Sequence, residues 1–447
     1  MGLITLKQAA AWCGGTVAPQ FENVTFLGAN NDTRKLLPGQ LFVALEGVRD
    51  GHDFIDAALE KGASAVLCKR CREDVPAIVV EDPRLALGAI AAAERQRIGM
   101  QVVGVTGSVG KSTTKEMIVS VLETTYIVSK TPANHNNDIG MPMAILAMPE
   151  TTQVAVLEMG MNHFREIAYL SQIGRPDVAV IINVGTMHIE HLGSREGILQ
   201  AKLEILEGMA SQGKVLLCGD NDMLWSWKDK ADRPVCYFGA ENPQCDLLAQ
   251  QVEQTETGLR YRLRERDMEI FLPLEGKHYV SDSMAAVGVG LAMGVTEENV
   301  RKALASFQNM QGRQEIFAAK GCTVIKDCYN AGPESMAAAL AVLGRREGRR
   351  IAVLGDMLEL GDHSVAAHLQ VGKLAAENAS IVLAYGNFAS QVVCGAAAAE
   401  LAQAFTTRED MADFMKEICR PGDVLLFKGS HGMHMELVLE MFLKEER

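Results

Sequence analysis

Several features are scarce in this 447-residue chain, and each scarcity excludes something. Uninterrupted apolar runs are short. None reaches the roughly 18 residues that a membrane-crossing helix needs, so no span and no stable membrane insertion is expected. A surplus of positive charge is also missing. The formal net charge is −13, and nucleic acid is held by clustered Lys and Arg, so no nucleic acid is expected as a main partner. The stretch MGLITLKQAAAWCGG has neither a basic start nor an unbroken apolar core, so no secretory signal is expected. Cys68 and Cys71 form one CxxC pair but lack a second Cys or His pair to complete a metal site. The ten cysteines are otherwise scattered, as reduced thiols of a cytoplasmic protein would be. No internal repeat and no low-complexity tract occurs.

Apolar residues, by contrast, make up 48% of the chain, enough for several cores, and the length suggests about three domains. Residues 1 to about 95 read as short strands with two helices. From about 100 to 312, short apolar runs such as VVGVT, VAVLE, VAVIIN and KVLLC alternate with helical patterns such as SREGILQAKLEILEGMA. That alternation predicts a mostly parallel sheet covered on both faces. TVIKD, RIAVLGD, SIVLAYG and DVLLFKG repeat it to the end, predicting a separate open sheet. The expected class is α/β in three domains, 1–98, 99–312 and 313–447: a small α/β unit, a central phosphate-loop unit with a parallel sheet, and a Rossmann-like unit.

The chemistry concentrates in VVGVTGSVGKSTTKEM. A strand leads into a turn allowed by Gly107 and Gly110, and Lys111 opens a helix. Backbone amides of Gly107, Ser108, Val109, Gly110, Lys111, Ser112 and Thr113 at a helix amino terminus make an anion site. Lys111 supplies a point charge to outer phosphates, and the Ser112 hydroxyl can ligate Mg2+. The longer hydrolase pattern would place a glycine at position 105, where Val105 stands. An acid for the metal is expected at the end of a neighbouring strand, and Glu158 closes VAVLE. His188 follows VAVIIN and would reach the same edge, either as a metal ligand or as a structural histidine.

GVTGSVGKSTTKE, TPANHNNDIGMP, EMGMNH, NVGTMHIEHLGS and AKLEI occur in an order and spacing that resembles the Mur ligase family. DTRKLLPGQLFVALEGVRDGHDF, DCYNAGPESMAAAL, LGDMLELGDHS and FKGSHGMHME narrow the resemblance within it. It implies a cytoplasmic ATP-dependent amide ligase of peptidoglycan synthesis, expected to be a monomer. The implied substrates are UDP-N-acetylmuramoyl-tripeptide and D-alanyl-D-alanine. A Mur-type ligase with a different amine or carboxylate is the alternative. By resemblance, two Mg2+ ions assist: Ser112 and Glu158 would hold one, and His188 would help hold the second. Lys202 in AKLEI matches a lysine that is carbamylated and acts as an extra carboxylate at the metal. His278 and Asp282 match adenine contacts, Arg313 a phosphate contact and Asp327 a ribose contact. Thr33 and Arg34 match the uridine-diphosphate segment, which makes the first domain the nucleotide-sugar binder. Asn136 and Asn137 match residues near the reacting end of the substrate, and the resemblance implies that Tyr329 and Asn330, with the GDMLELG loop, shape the dipeptide pocket.

Certain positions depart from the family pattern. Asp282 replaces Asn, Ala133 replaces Gly, and Lys326, Cys328 and Gly332 differ from the usual DDSYNANP. His431 stands where an Arg usually follows KGS. An Arg pairs well with a carboxylate and a neutral His does not, so His431 bears on the identity of the incoming amine.

Overall fold

The computed structural model describes residues 2–444 except 133, 256 and 311. The departure at Ala133 therefore lies outside the described residues. Three α/β units follow one another along the chain.

The first unit carries four short parallel strands in the order Ala29–Asn30, Leu41–Val43, Ala65–Cys68, Ala77–Val79. It holds three α-helices, Leu6–Cys13, Ile55–Glu60 and Pro83–Ile98, rather than two. The first is the one not anticipated. Its eight residues start from a Thr5 capping box and end on Gly14 in the left-handed region, so local capping supports a helix too short to show a repeating pattern.

The central unit is a nine-stranded sheet. Strand Gln101–Thr106 lies between Val154–Glu158 and Val178–Ile181, all parallel. Their residues are buried on both faces, which explains unbroken runs such as VAVL rather than alternation. The chain passes from Gln101–Thr106 to Val154–Glu158 on one side and then to Val178–Ile181 on the other. Such a reversal opens a crevice at the carboxyl ends of the strands.

Strand–helix alternation does not continue to residue 312, as the sequence suggested. Leu247–Thr255, Gly258–Leu263 and Met268–Leu272 form antiparallel hairpins at one edge. Gly258–Leu263 and Met268–Leu272 bury nearly every second residue, the mark of a sheet with one wet face.

The third unit is a six-stranded sheet, parallel except for edge strand Glu315–Ala319. Its two faces carry separate apolar clusters. One cluster, by contrast, runs continuously from Ile4, Phe26 and Leu41 of the first unit into Val103, Val156 and Val180 of the central sheet.

Candidate active site

The strand Gln101–Thr106 delivers the chain into the crevice, and the loop turns at Gly110 with φ +83°. A side chain there would be strained by that φ, and its Cβ would lie 2.8 Å from Asp282 Oδ1. The helix Lys111–Leu122 follows at once. The amides of Ser108 and Val109 both donate to Asn183 Oδ1, at 2.9 and 3.0 Å, and Asn183 Nδ2 donates back to Val109 O at 2.9 Å. These two amides therefore hold the loop against the neighbouring strand end, which leaves those at the helix start for an anion. Asn183 escaped sequence reasoning; the only signal was a polar residue ending VAVIIN.

Lys111 Nζ donates to Gly107 O and Ser108 O, at 2.9 and 3.2 Å, so it lies over the loop. Burial lowers its pKa, Glu158 opposes that shift and Arg313 adds to it. Ser112 Oγ donates to Glu158 Oε2 at 2.8 Å, and Arg313 Nη2 donates to Ser112 Oγ at 3.0 Å. Asn136 Nδ2 donates to the other Glu158 oxygen at 2.9 Å. Lys115 Nζ lies 3.8 Å from Glu158 and is itself fixed by Thr131 O. A carboxylate that is 2% exposed is thus paired on several sides, as a buried charge requires.

The donor set suits Mg2+, because hydroxyl and carboxylate oxygens are hard ligands. Two neighbouring ligands of an octahedral Mg2+ at about 2.1 Å stand about 3 Å apart. The 2.8 Å between Ser112 Oγ and Glu158 Oε2 is close to that separation.

A cavity of about 490 Å³ opens between the central and third units. Its lining includes the loop from Ser108 to Thr113, together with Asn136, Glu158, His188, His278, Asp282, Arg313, Asp327, Tyr329 and Asn330. The structure therefore gathers most of the residues singled out in the sequence. His278 opens the helix His278–Ala292, and burial pushes its pKa down to about 4. Asp282 accepts from Thr114 Oγ1 at 2.9 Å, and burial pushes its carboxyl up to about 7. It is therefore no simple ionised acceptor: near neutral pH a large share carries a proton and can donate. The Arg313 guanidinium stacks 4.1 Å over the Tyr329 ring. Asp327 accepts from Lys428 Nζ at 2.6 Å, a partner the sequence did not reveal.

Other expected residues lie elsewhere. Lys202, on helix Arg195–Leu203, does not line the cavity. It is buried, and burial and the Lys111 ammonium hold its pKa well below the usual lysine range. Asn137 uses its side chain to accept from Gly140 N and Ile139 N, at 2.8 and 3.2 Å, where the next helix begins, and it too is absent from the cavity wall. Thr33 and Arg34 also lie outside it, and Arg34 forms a forked pair with Asp32. Burial lowers the pKa of His135 and the adjacent Lys35 adds to that shift, so this loop lies near the segment that bears Asn136.

Of the departures, Cys328 is buried, with Sγ 3.5 Å from Phe427 O. Gly332 sits where a Cβ would come 2.9 Å from Met187 of the central unit. The His431 ring is 6.1 Å from that of Tyr329. Nothing in the structure explains Lys326.

Three family profiles match in chain order. They are "Mur ligase family, catalytic domain" over 23–95, "Mur ligase middle domain" over 105–290, and "Mur ligase, glutamate ligase domain" over 312–431. The UDP-N-acetylmuramoyl-tripeptide–D-alanyl-D-alanine ligase of Bacillus subtilis is 40% identical, covering 98% of this chain and 97% of that protein. Its namesake from Escherichia coli is 35% identical, with the same coverage. A crystal structure of MurF from Acinetobacter baumannii superposes with a TM-score of 0.92 at 32% identity, covering 100% of both chains. MurF ligase from Thermotoga maritima in complex with ADP gives 0.84 at 30% identity, over 94% of this chain and 97% of that one. Matching profiles along most of its length, and relatives this similar end to end, make the chain a member of the Mur ligase family.

Proposed function

We propose that the protein uses ATP to join D-alanyl-D-alanine to the terminal carboxylate of UDP-N-acetylmuramoyl-tripeptide, a step of peptidoglycan precursor synthesis. The observation that carries the reading is the convergence of Lys111, Ser112, Glu158 and Arg313 on one crevice, in a chain similar end to end to ligases of that name.

A carboxylate is a poor electrophile and repels a triphosphate. A carboxylate oxygen bonds to the γ-phosphorus, the bond to ADP breaks, and an acyl phosphate results. The dipeptide amine then attacks the acyl carbon, inorganic phosphate leaves with the C–O bonding pair, and the amine loses a proton. Transfer of this kind is driven by positioning and by positive charge set where negative charge develops. Lys111 and Arg313 supply fixed charge at the loop, and the amides at the start of its helix orient the phosphates. Ser112 and Glu158 would hold one Mg2+, and His188 would contribute to a second. Bound there, the ions would supply positive charge to offset the negative charge of the phosphates. Lys202 would add an anionic ligand as its carbamate. Asp327, His278 and Asp282 would border the nucleoside, with Lys428 keeping Asp327 in place. Asn136 faces the reacting end of the tripeptide, Tyr329 and Asn330 the dipeptide, and Thr33 and Arg34 the uridine diphosphate.

Among the described residues no helix is long and apolar enough to cross a membrane. The place of work proposed with this reaction is the cytoplasm. Phosphate release from ATP and Mg2+ should require the UDP-tripeptide and D-alanyl-D-alanine together. Turnover supported by another amine but not by the dipeptide would point instead to a different acceptor.

A further inference from the structure

One ionic contact between the central and third units involves a side chain that the proposed chemistry does not yet use. His188 Nδ1 lies 2.5 Å from Glu359 Oε2. The imidazole is largely buried, and Nδ1 makes no hydrogen bond of good geometry, so the Glu359 carboxylate lying against it is the acceptor at hand. Both residues are held in the left-handed region that side chains avoid, His188 at φ 64° and Glu359 at φ 63°. Such conformations persist only where the surroundings impose them, and they cluster at functional sites.

The surroundings here do impose them. Met357 N donates to His368 Nε2, and Leu358 N donates to Ser430 Oγ, both at 2.9 Å, so the loop is fixed from within its own domain. Gly361 then lies so close to the helix after His188 that a Cβ would sit 3.1 Å from Glu190 Cγ. A second acid from the third unit grips the same segment: Glu334 Oε1 accepts from Thr186 N and Oγ1, at 2.9 and 3.0 Å.

A neutral imidazole carries one proton on either ring nitrogen, and the partner of one nitrogen decides what the other can do. A carboxylate at Nδ1 keeps the proton there and leaves the Nε2 lone pair free. We propose that Glu359 is a positioning residue for His188, reaching across the cleft so that the imidazole presents Nε2 in the competent tautomer only when the third domain is closed. The inference rests on the reading of His188 as a metal ligand. It goes further by making that ligand depend on a residue of another domain.

Histidine-selective 15N labelling of the full chain tests it, with the His188 ring signals assigned from His188→Asn. In the wild type the proton should reside on Nδ1. Glu359→Ala should release it to the ordinary mixture, and Glu359→Gln, whose amide oxygen still accepts, should largely keep it. A ring spectrum unchanged by Glu359→Ala would overturn the proposal. As a second readout, Mn2+ binding to the protein with a non-hydrolysable ATP analogue should weaken about tenfold or more in Glu359→Ala. Unaltered Mn2+ affinity in His188→Ala would instead refute the metal reading of His188, a result separate from the ring spectrum.

Discussion

Lys202 is a buried amine in a neighbourhood already positive. It is 2% exposed, and burial, with the Lys111 ammonium adding to it, holds its pKa well below the usual lysine range and so favours the neutral amine. A neutral amine adds to carbon dioxide, and the resulting carbamate reverses the sign of the charge. Lys202→Ala should therefore lose at least about 10²-fold in turnover, the scale for one charge-stabilising group. Acetate or another short carboxylic acid should restore part of it, and a fully active variant would reduce Lys202 to a structural lysine. Asp282 offers a test that needs no substrate. Its folded pKa, about 7, is above the unfolded value near 3.8. The folded chain therefore binds this proton more tightly, and the stability it contributes is complete below about pH 4 and lost as pH rises through 7. Asp282→Asn removes the titration and keeps an oxygen for Thr114. Its advantage in urea unfolding should grow from pH 4 to pH 8, reaching about 2–4 kcal/mol. A difference that stays flat with pH would mean the carboxyl is better solvated than its burial implies. Ser112 and Glu158 were legible in the sequence because Glu158 closes its own strand and Ser112 lies in the first turn of the helix that follows the glycine turn. Asn183 and Lys428 were not, because each acts on a segment distant in sequence, 75 and 101 residues away.

Helices and strands set how far such residues move together. His188 caps the short helix Ile189–Leu192, and Lys202 rides on Arg195–Leu203, separated from it by two residues. The junction is tight. Ser194 Oγ accepts from Gly197 N, and a Cβ at Gly197 would lie 2.1 Å from Leu192 O, a backbone atom that cannot step aside alone. Gly197→Ala should therefore push the two helices apart, costing about 1–3 kcal/mol in denaturant unfolding. Turnover should fall while KM for ATP holds, since the phosphate loop hangs from a different strand. A rise in KM with turnover preserved would mean the junction acts on the nucleotide instead. At this scale the buried parallel strands were plain in the sequence, because a strand covered on both faces is apolar throughout. The edge hairpins were not, since GLRYRL and MEIFL alternate too briefly to stand out beside helical patterns.

The whole molecule combines one firm junction with one soft one. The first unit shares a continuous apolar core with the central sheet, whereas the third keeps its apolar clusters to itself. The third meets the central unit largely through polar contacts: Arg346 with Glu275 at 2.7 Å, Arg313 with Ser112, Glu359 with His188 and Glu334 with Thr186. Interfaces of this kind permit domain motion, and because the cavity is lined from both units, closure would assemble it. Sequence periodicity could mark the domains but not this asymmetry, since each contact depends on how two folded units dock. Glu334→Ala removes two hydrogen bonds to a carboxylate without touching the loop, Glu158 or Lys202. Each such bond is worth about 1.5–3 kcal/mol, so closing should weaken by at least about tenfold. Small-angle scattering of the variant with ATP analogue and Mg2+ should give a larger radius of gyration than the wild type under the same conditions. KM for ATP should rise with it, because nucleotide affinity falls with the fraction of molecules able to close. If the scattering curves coincide while KM rises, Glu334 acts on the bound nucleotide rather than on the arrangement of the domains.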